Sequence, residues 1–415
     1  MDIHTDIEPR TTYGYVTVLT YAMFFMFAMT TDAVGEIIKI AKGEMGLTNM
    51  QASAFHWATM IAIAGSGIFL GFLADLYGRK RTIILGLVMY GLASALFFLG
   101  ESFYAYLILL FVSGIAVGIF KTAALALIGD ITQSTEQHTR KMNAVEGFFG
   151  IGAIVGPLLV VFLSSRGISW TWLYLFAAGL CVLMIAVALK TEYPVMQENK
   201  GKPTNFLRTF GMLKNKYALG FSFAIAMYVA SEVAIFVWLP TLLTGYTGTQ
   251  ITMFVATYAV MIFFIFRAAG RFLGIWILNL FSWTSVMLIF SLMVFGCFLG
   301  SAIMGQTAAV FLLPMSGLFM SMIYPTLNSK GISCFPKAEH GAIAGLILFF
   351  TAAAAAIGPL LMAFVADQFG GGDMTVGFYI ATGFSGLLFL SMLYNYIKNP
   401  AATILQKANV SQNGD

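Results

Sequence analysis

Charged side chains are scarce in this sequence. They make up 10% of its 415 residues, whereas hydrophobic residues make up 59% and include 39 Phe. A soluble domain has about 25% charged residues, and a soluble fold of this length could not bury so much apolar surface. The composition therefore excludes a water-soluble globular protein and predicts a chain whose solvent is the hydrocarbon of a bilayer.

Sequence signatures of enzymes and of nucleic-acid-binding proteins are also absent. The chain has no GxxxxGK[ST] phosphate loop, no paired metal ligands and no familiar spacing of a nucleophile and a base. Cys181, Cys297 and Cys334 lie in or beside apolar runs without metal-ligand spacing, and a net charge of +4 is too weak to indicate nucleic acid. We expect no catalysis, no cofactor, no metal and no nucleic-acid partner.

Long apolar runs dominate instead. Twelve of them can each cross about 30 Å of hydrocarbon as a helix, and the first has no small-residue cleavage site of a signal peptide. We predict an all-α membrane protein with a six-helix bundle at 1–190, a linker at 191–216 and a second six-helix bundle at 217–415. The runs lie near 14–36, 49–73, 82–100, 103–131, 143–164, 170–190, 217–242, 250–278, 283–303, 307–335, 341–366 and 375–397.

Basic residues are distributed unevenly between the two sides of these spans. With both termini placed in the cytoplasm, sixteen of the 22 Lys and Arg residues fall in cytoplasmic segments, whereas Lys39, Lys42 and Arg166 fall outside. Cytoplasmic loops normally carry the excess of basic residues. The bias predicts cytoplasmic termini in a multi-pass protein, which we place as a monomer in a bacterial inner membrane.

Two short matches indicate an internal repeat. The segment GPLLVVFLSSRG begins at Gly156 and GPLLMAFVADQFG begins at Gly358, an offset of 202 residues. Gly71 and Gly274 are separated by a similar offset of 203 residues. Agreement between the two offsets predicts that the second bundle duplicates the first.

The charged loop GFLADLYGRKR interrupts two apolar runs between the second and third spans. It resembles the signature loop of the major facilitator superfamily, and the resemblance implies two pseudo-symmetric bundles around a cavity that opens alternately to each side. Gly71 and Gly78 would allow a tight turn. Asp75 would lie at a helix N-terminus of the other half, and Arg79 would pair with a carboxylate such as Asp130.

These contacts predict a cytoplasmic latch between the halves. Glu146, at the start of the fifth predicted span, is expected to belong to the same gate with Asp130 and Arg140. The alternative is an ordinary basic loop, which explains the Lys and Arg residues but does not explain Asp75 with its two glycines.

Four further segments resemble the fucose permease branch of that superfamily. They are GLTNMQAS (47–54), MYVASEVAIFVWLPTLL (227–243), AAGRFLG (268–274) and FMSMIYPTL (319–327). The resemblance implies import of a monosaccharide or a similar polyol together with a proton. In that branch, proton coupling rests on an acid in the first helix and a Glu in the fourth. Here those positions fall on Gly35 and Lys121, so the mechanism of the branch cannot be carried over unchanged.

Ionisable groups within the spans are costly and are candidates for function. Asp32 lies in the first span, and Glu232 follows it by 200 residues, close to the repeat offset. Lys121 lies near the middle of the fourth span, and Arg267 lies in the eighth. We expect Lys121 to form a charge cluster with Asp32 and Glu232, to which Arg267 adds. The plainer alternatives are an interfacial carboxylate for Asp32 and structural ion pairs for the others.

Polar and aromatic side chains on the seventh and tenth spans are candidate sugar contacts. Tyr324 and Asn328 lie one turn apart and could bond hydroxyl groups, whereas Trp238 and Tyr228 offer rings for stacking. Packing or lipid contact is the alternative for each. His56 is expected to be a packing residue.

These features favour a secondary transporter of a small polar solute, driven by protons. A transporter of an organic anion bound by Lys121 and Arg267 is a second possibility, and a drug or metabolite exporter is a third. The exporter would have a larger apolar cavity and would not need the FMSMIYPTL segment. A receptor or scaffold would not need charges inside the membrane.

Overall fold

The structure is a computed structural model that describes residues 13–70, 73–132, 135–194, 211–335 and 340–405, and these ranges contain helices and no strand. Gly14 and Lys398 lie on the same face because the number of crossings is even; we call this the terminal face and the other the far face. The twelve helices are α1 Gly14–Met45, α2 Asn49–Phe69, α3 Arg79–Leu96, α4 Phe103–Asp130, α5 Thr135–Ser165, α6 Trp172–Lys190, α7 Lys216–Leu242, α8 Ala259–Leu280, α9 Trp283–Met304, α10 Gln306–Ser333, α11 His340–Phe369 and α12 Met374–Lys398.

The twelve predicted spans are present as helices. Eleven helices in the described ranges are long and apolar enough to cross a membrane. The twelfth, α2, has 21 residues but buries several polar side chains, among them Asn49, Ser53 and His56. It packs against α4 and α11. Helix α2 therefore lies between neighbouring helices, where polar side chains find partners that lipid cannot supply.

Helix α1 differs from its predicted length. It was expected to end near residue 36, but it continues to Met45 after an interruption between the segments Gly14–Thr31 and Val34–Met45. Just before the interruption, the hydroxyls of Thr30 and Thr31 both donate to the Phe27 carbonyl, at 2.9 and 3.0 Å. Such bonds occupy the carbonyl that the backbone ladder uses and commonly bend helices. The second part ends at Gly46, which has a φ of +63°.

The predicted repeat is visible in how the two halves pack. In the first half, a Cβ at Gly156 of α5 would meet the backbone of Met29 in α1. In the second half, a Cβ at Gly358 of α11 would lie 3.2 Å from the Cβ of Ala230 in α7. Each glycine lets two helices approach closely, and the two pairs occupy corresponding positions. The packing around Gly71 and Gly274, the other matched pair, is not compared, because Gly71 lies outside the described residues.

A second set of glycines shows the same correspondence. Gly114 of α4 faces the backbone of Thr59 in α2, and Gly317 of α10 faces the backbone of Phe263 in α8. The helices α2 and α4 therefore pack as α8 and α10 do. The boundary of 191–216 as a linker stays a prediction, since 195–210 lie outside the described residues.

Substitution of Gly156 by Ala is expected to lower the free energy of unfolding by about 1–3 kcal/mol, because the new methyl group overlaps the Met29 backbone in a packed interface. Gly150 on the same helix is the matched control, since a Cβ there meets no atom within 4 Å. Thermal unfolding of the two detergent-solubilised variants tests this. Equal melting temperatures would contradict the close approach of α1 and α5.

Candidate functional site

A buried ion pair joins α7 and α8 near the middle of the second half. Glu232 Oε1 lies 2.7 Å from Arg267 Nη2, and the two side chains are 9% and 18% exposed. The Tyr228 hydroxyl, one turn earlier on α7, donates to the same carboxylate oxygen at 3.0 Å. One oxygen of Glu232 thus accepts from a cation and from a neutral donor. Such charge-assisted bonds are strong in a site that excludes water.

Arg267 keeps an unused donor. Its Nε atom is buried and has no hydrogen-bond partner in the described structure. Buried donors are almost always satisfied, so an exception calls for a reason. An occupant of the site that carries an acceptor group would supply the missing bond.

Asp32 lies at the interruption of α1 and is 7% exposed. It is close enough to Arg267, Glu232 and Lys121 to interact electrostatically with all three. The nearest described contact of its carboxylate is the Thr31 hydroxyl, at 3.4 Å from Oδ1. The structure therefore brings Asp32 and Glu232, from corresponding helices of the two halves, to one group of charges.

Lys121, expected to form a charge cluster with Asp32 and Glu232, makes no direct ion pair with either of them in the described residues. Its Nζ atom lies 4.7 Å from the ring centroid of Phe27 and 5.9 Å from that of Phe24. Within the described ranges no carboxylate oxygen lies within 4.0 Å of this nitrogen, and Glu232 pairs with Arg267 instead. The reason is topological, since α8 packs next to α7 whereas Lys121 belongs to the other half. Lys121 still interacts electrostatically with Asp32 and Glu146.

Glu146, predicted to belong to the gate, has its nearest described basic group in the other half of the protein. Its Oε2 atom lies 3.9 Å from Arg271 Nη2 on α8, across the boundary between the halves. It also interacts electrostatically with Lys121 and Arg267. The apolar span of α5 begins at Ala144, close to the predicted 143, and the helix itself starts earlier, at Thr135. Glu146 therefore lies at the start of the span, as expected, with its side chain half-exposed.

The polar and aromatic candidates lie on α7 and α10, and the two α7 rings are buried. Tyr228 and Tyr324 have ring centroids 6.1 Å apart, and Tyr324 interacts electrostatically with Glu232 and Arg267. Asn328 lies one turn further along α10 and is half-buried. Trp238 is fully buried, as Tyr228 is, and its Nε1 atom donates to the Pro359 carbonyl at 3.0 Å. Neither ring therefore offers the exposed stacking face that was predicted, although the Tyr228 hydroxyl bonds Glu232.

Gly35 occupies the position that the resemblance aligns with an acid in the first helix. A Cβ there would overlap the carbonyl of Phe236 in α7. No larger side chain fits while α1 and α7 are this close. Gly35, which stands where the branch has an acid, therefore lies at a backbone contact between the halves. The nearest acid before it in the sequence is Asp32. His56, expected to be a packing residue, is buried with Nε2 3.0 Å from the Ala355 carbonyl.

The charged loop makes an ion pair and hydrogen bonds to other segments of the first half. Arg79 Nε lies 2.8 Å from Asp130 Oδ2, the pair anticipated from the sequence. Gly78 has a φ of +83°, a conformation that favours glycine. Lys80 Nζ donates to the carbonyls of Leu189 and Thr191, each at 2.9 Å. The contacts predicted for Gly71 and for the side chains of Asp75 and Arg140 lie outside the described residues, so the latch between halves stays a prediction.

A family model described as Major Facilitator Superfamily matches residues 14–356. The chain belongs to the Major Facilitator Superfamily. It is accordingly a multi-pass membrane protein and a secondary transporter, not an enzyme, with the twelve-helix fold of that family.

Relatives and solved structures agree with this placement. The chain is 24% identical over 361 residues to the L-fucose-proton symporter of Escherichia coli (strain K12), covering 76% of this chain and 78% of the relative. It is 25% identical over 244 residues to the Protein TsgA homolog of Serratia proteamaculans (strain 568), covering 56% of this chain and 59% of that relative's length.

Among solved structures, the nucleoside transporter NupG superposes with a TM-score of 0.70 at 15% identity, covering 92% of this chain and 98% of that chain. The xylose transporter XylE from E. coli in its inward open conformation superposes with a TM-score of 0.73 at 13% identity. The match covers 92% of this chain and 96% of that chain. These likenesses support the fold.

Proposed function

We propose that this protein imports a monosaccharide or a close sugar derivative together with protons, as a monomer in a bacterial inner membrane with cytoplasmic termini. The observation that carries the proposal is the buried Glu232–Arg267 pair with Tyr228 on the same carboxylate oxygen. The similarity to an L-fucose-proton symporter supports the sugar and the proton. The neutral sugar is preferred over an anion because Glu232 already neutralises the charge of Arg267.

The pair links protonation to binding by simple electrostatics. A proton on Glu232 would cancel the charge that holds Arg267 Nη2, and the guanidinium could then turn its donors to another acceptor. A sugar hydroxyl is such an acceptor, and Tyr228, Tyr324 and Asn328 offer further hydrogen-bonding groups nearby. Asp32 lies within electrostatic reach of the same guanidinium and would hold it when Glu232 is neutral. Proton and solute would therefore be bound together.

Purified protein in proteoliposomes is expected to accumulate a neutral monosaccharide above its external concentration when the interior is alkaline, and only to equilibrate it when the gradient is absent. Uptake of radiolabelled L-fucose, D-xylose and D-glucose, each with and without a protonophore, measures this. Empty liposomes are the control. Failure of every sugar to accumulate, in protein whose fold is intact, would reject the proposal.

A sugar acid or other small organic anion is the second candidate. It is favoured by the cation at Lys121, which faces two phenyl rings rather than a carboxylate, and by the unused Nε donor of Arg267. An anionic group could accept a hydrogen bond from either cation. Uptake of D-glucuronate beside D-glucose distinguishes this candidate from the first.

A further inference from the structure

On the far face, the end of α11 meets the beginning of α2. Asp367 Oδ1 accepts the backbone N–H of Asn49 at 3.2 Å and the Asn49 side-chain Nδ2 at 2.8 Å. Asp367 Oδ2 accepts the backbone N–H of Met50 at 2.7 Å. One carboxylate of the second half thus binds the first two amides of a helix in the first half.

The amides at a helix start have no partner within the helix and carry a partial positive charge. At α2 two of the four are satisfied locally, because the Thr48 hydroxyl accepts from Gln51 N at 3.2 Å and the Gln51 side chain accepts from Thr48 N at 3.0 Å. The remaining two are those of Asn49 and Met50. Asp367 therefore completes the cap of α2 from the other half of the protein.

The Asn49 side chain extends the same contact. It is fully buried, its Nδ2 atom also donates to the Gly372 carbonyl at 2.9 Å, and its Oδ1 atom accepts from Lys42 Nζ at 2.5 Å. Gly372 follows α11 and Lys42 belongs to α1. Every polar atom of Asn49 is therefore engaged, and most of its partners lie across the boundary between the halves.

The internal repeat supplies a comparison. Thr249 corresponds to Thr48 and caps the short helix Gln250–Thr257, accepting from Thr252 N at 3.3 Å. Ser165, at the end of α5, corresponds to Asp367, and its hydroxyl donates to its own helix at Phe162. The described hydrogen bonds of Gln250–Thr257 are all local, and none of its residues is buried. Among the described residues, one of two equivalent helix starts is therefore hydrogen-bonded across the halves, and the other is bonded locally.

We propose that Asp367 is a latch that holds the far face closed. Its hydrogen bonds to the start of α2 must break before that face can open. Opening separates the far ends of α2 and α11, so it breaks three hydrogen bonds to a carboxylate and leaves two helix amides without their cap. Such bonds are among the stronger ones in proteins. The proposal rests on alternating movement of the two halves and does not depend on which solute is carried.

Thiol labelling of a far-face reporter tests the latch without any substrate. Ala355 is buried in the middle of α11, and its carbonyl contacts His56 of the other half, so a probe that arrives from the far side reaches Ala355→Cys only when the far face opens. The native cysteines Cys181, Cys297 and Cys334 are buried, and protein without the reporter gives the background. The probe is a membrane-impermeant maleimide added to reconstituted protein.

Asp367→Ala is expected to raise the reporter's labelling rate about tenfold, as the loss of a charged hydrogen-bond acceptor would, and Asp367→Asn should raise it less. Asp373→Asn is the matched control, because that carboxylate caps α12 within its own half by accepting from Thr375 N at 2.8 Å. It should leave labelling unchanged. An unchanged rate in Asp367→Ala would overturn the proposal.

A variant on the α2 side of the contact tests the latch even if Asp367→Ala does not fold. Asn49→Pro removes the backbone donor and the side-chain donor together, yet Pro is favoured at the first position of a helix, and Thr48 before it is already extended. The variant removes two of the three bonds to Asp367 and keeps the one from the Met50 amide, so it should raise labelling, but less than Asp367→Ala does. The double variant should exceed Asp367→Ala by little, since both substitutions act on the same contact. Additive effects, or no effect of Asn49→Pro, would contradict the latch. Missing sugar uptake would reject the proposed solute but would not alter these outcomes.

Discussion

Glu232→Gln is expected to abolish proton-driven accumulation of solute while leaving exchange of solute across the membrane. The amide keeps the shape of the side chain and can still accept from Tyr228, but it cannot take up a proton or hold Arg267 by charge. Accumulation should therefore fall to the level of equilibration, a loss of at least about tenfold for a group that acts in every cycle. Counterflow in preloaded proteoliposomes, compared with uptake under a proton gradient, measures the two activities separately.

Glu101→Gln is the control for this experiment, because Glu101 is an exposed carboxylate in the loop between α3 and α4. It should leave both activities unchanged. Retained accumulation in Glu232→Gln would show that Glu232 is a structural residue of α7, and loss of counterflow as well would place it in solute binding rather than in coupling.

The stability of the same variants reports on the pair itself. Removal of one partner of a buried ion pair leaves an uncompensated charge and costs about 3–5 kcal/mol. Glu232→Gln and Arg267→Gln should each lower the melting temperature, and the double variant should recover part of the loss. A double variant less stable than either single one would contradict a direct interaction between the two side chains.

Lys121→Glu is expected to reduce uptake of a neutral sugar at least about tenfold, because it places another negative charge beside Asp32 and Glu146 in a region of low dielectric. Lys121→Gln removes the charge without reversing it and should have a smaller effect. Uptake of D-glucose and of D-glucuronate by both variants is the measurement.

The pattern across the two solutes separates the possible roles of Lys121. Loss of glucuronate uptake alone would identify a site for an anion, and loss of both would indicate a switch that responds to the nearby carboxylates. Unchanged uptake of both by Lys121→Glu would show that the residue has no part in transport. Lys190→Glu, an exposed position at the end of α6, controls for a simple change of charge.

Most of the fold was predictable, because a bilayer requires each crossing segment to satisfy its own backbone and to be apolar over a fixed length. This requirement located all twelve helices. It misjudged the end of α1, which continues to Met45. The apolar span of α5 begins at Ala144, as predicted, although the helix itself starts at Thr135 in a polar segment.

The sequence by itself determined the membrane environment, the number of helices, the repeat and the ionisable residues inside the spans, since each depends on composition or on spacing along one chain. The tertiary structure decided which charges are partners. Glu232 pairs with Arg267 rather than with Lys121, Glu146 faces Arg271, and Trp238 is covered by α11. A side chain's partner depends on how helices far apart in sequence are rotated and packed against each other, and a hydropathy pattern carries no information about that rotation when nearly every face of a helix is apolar.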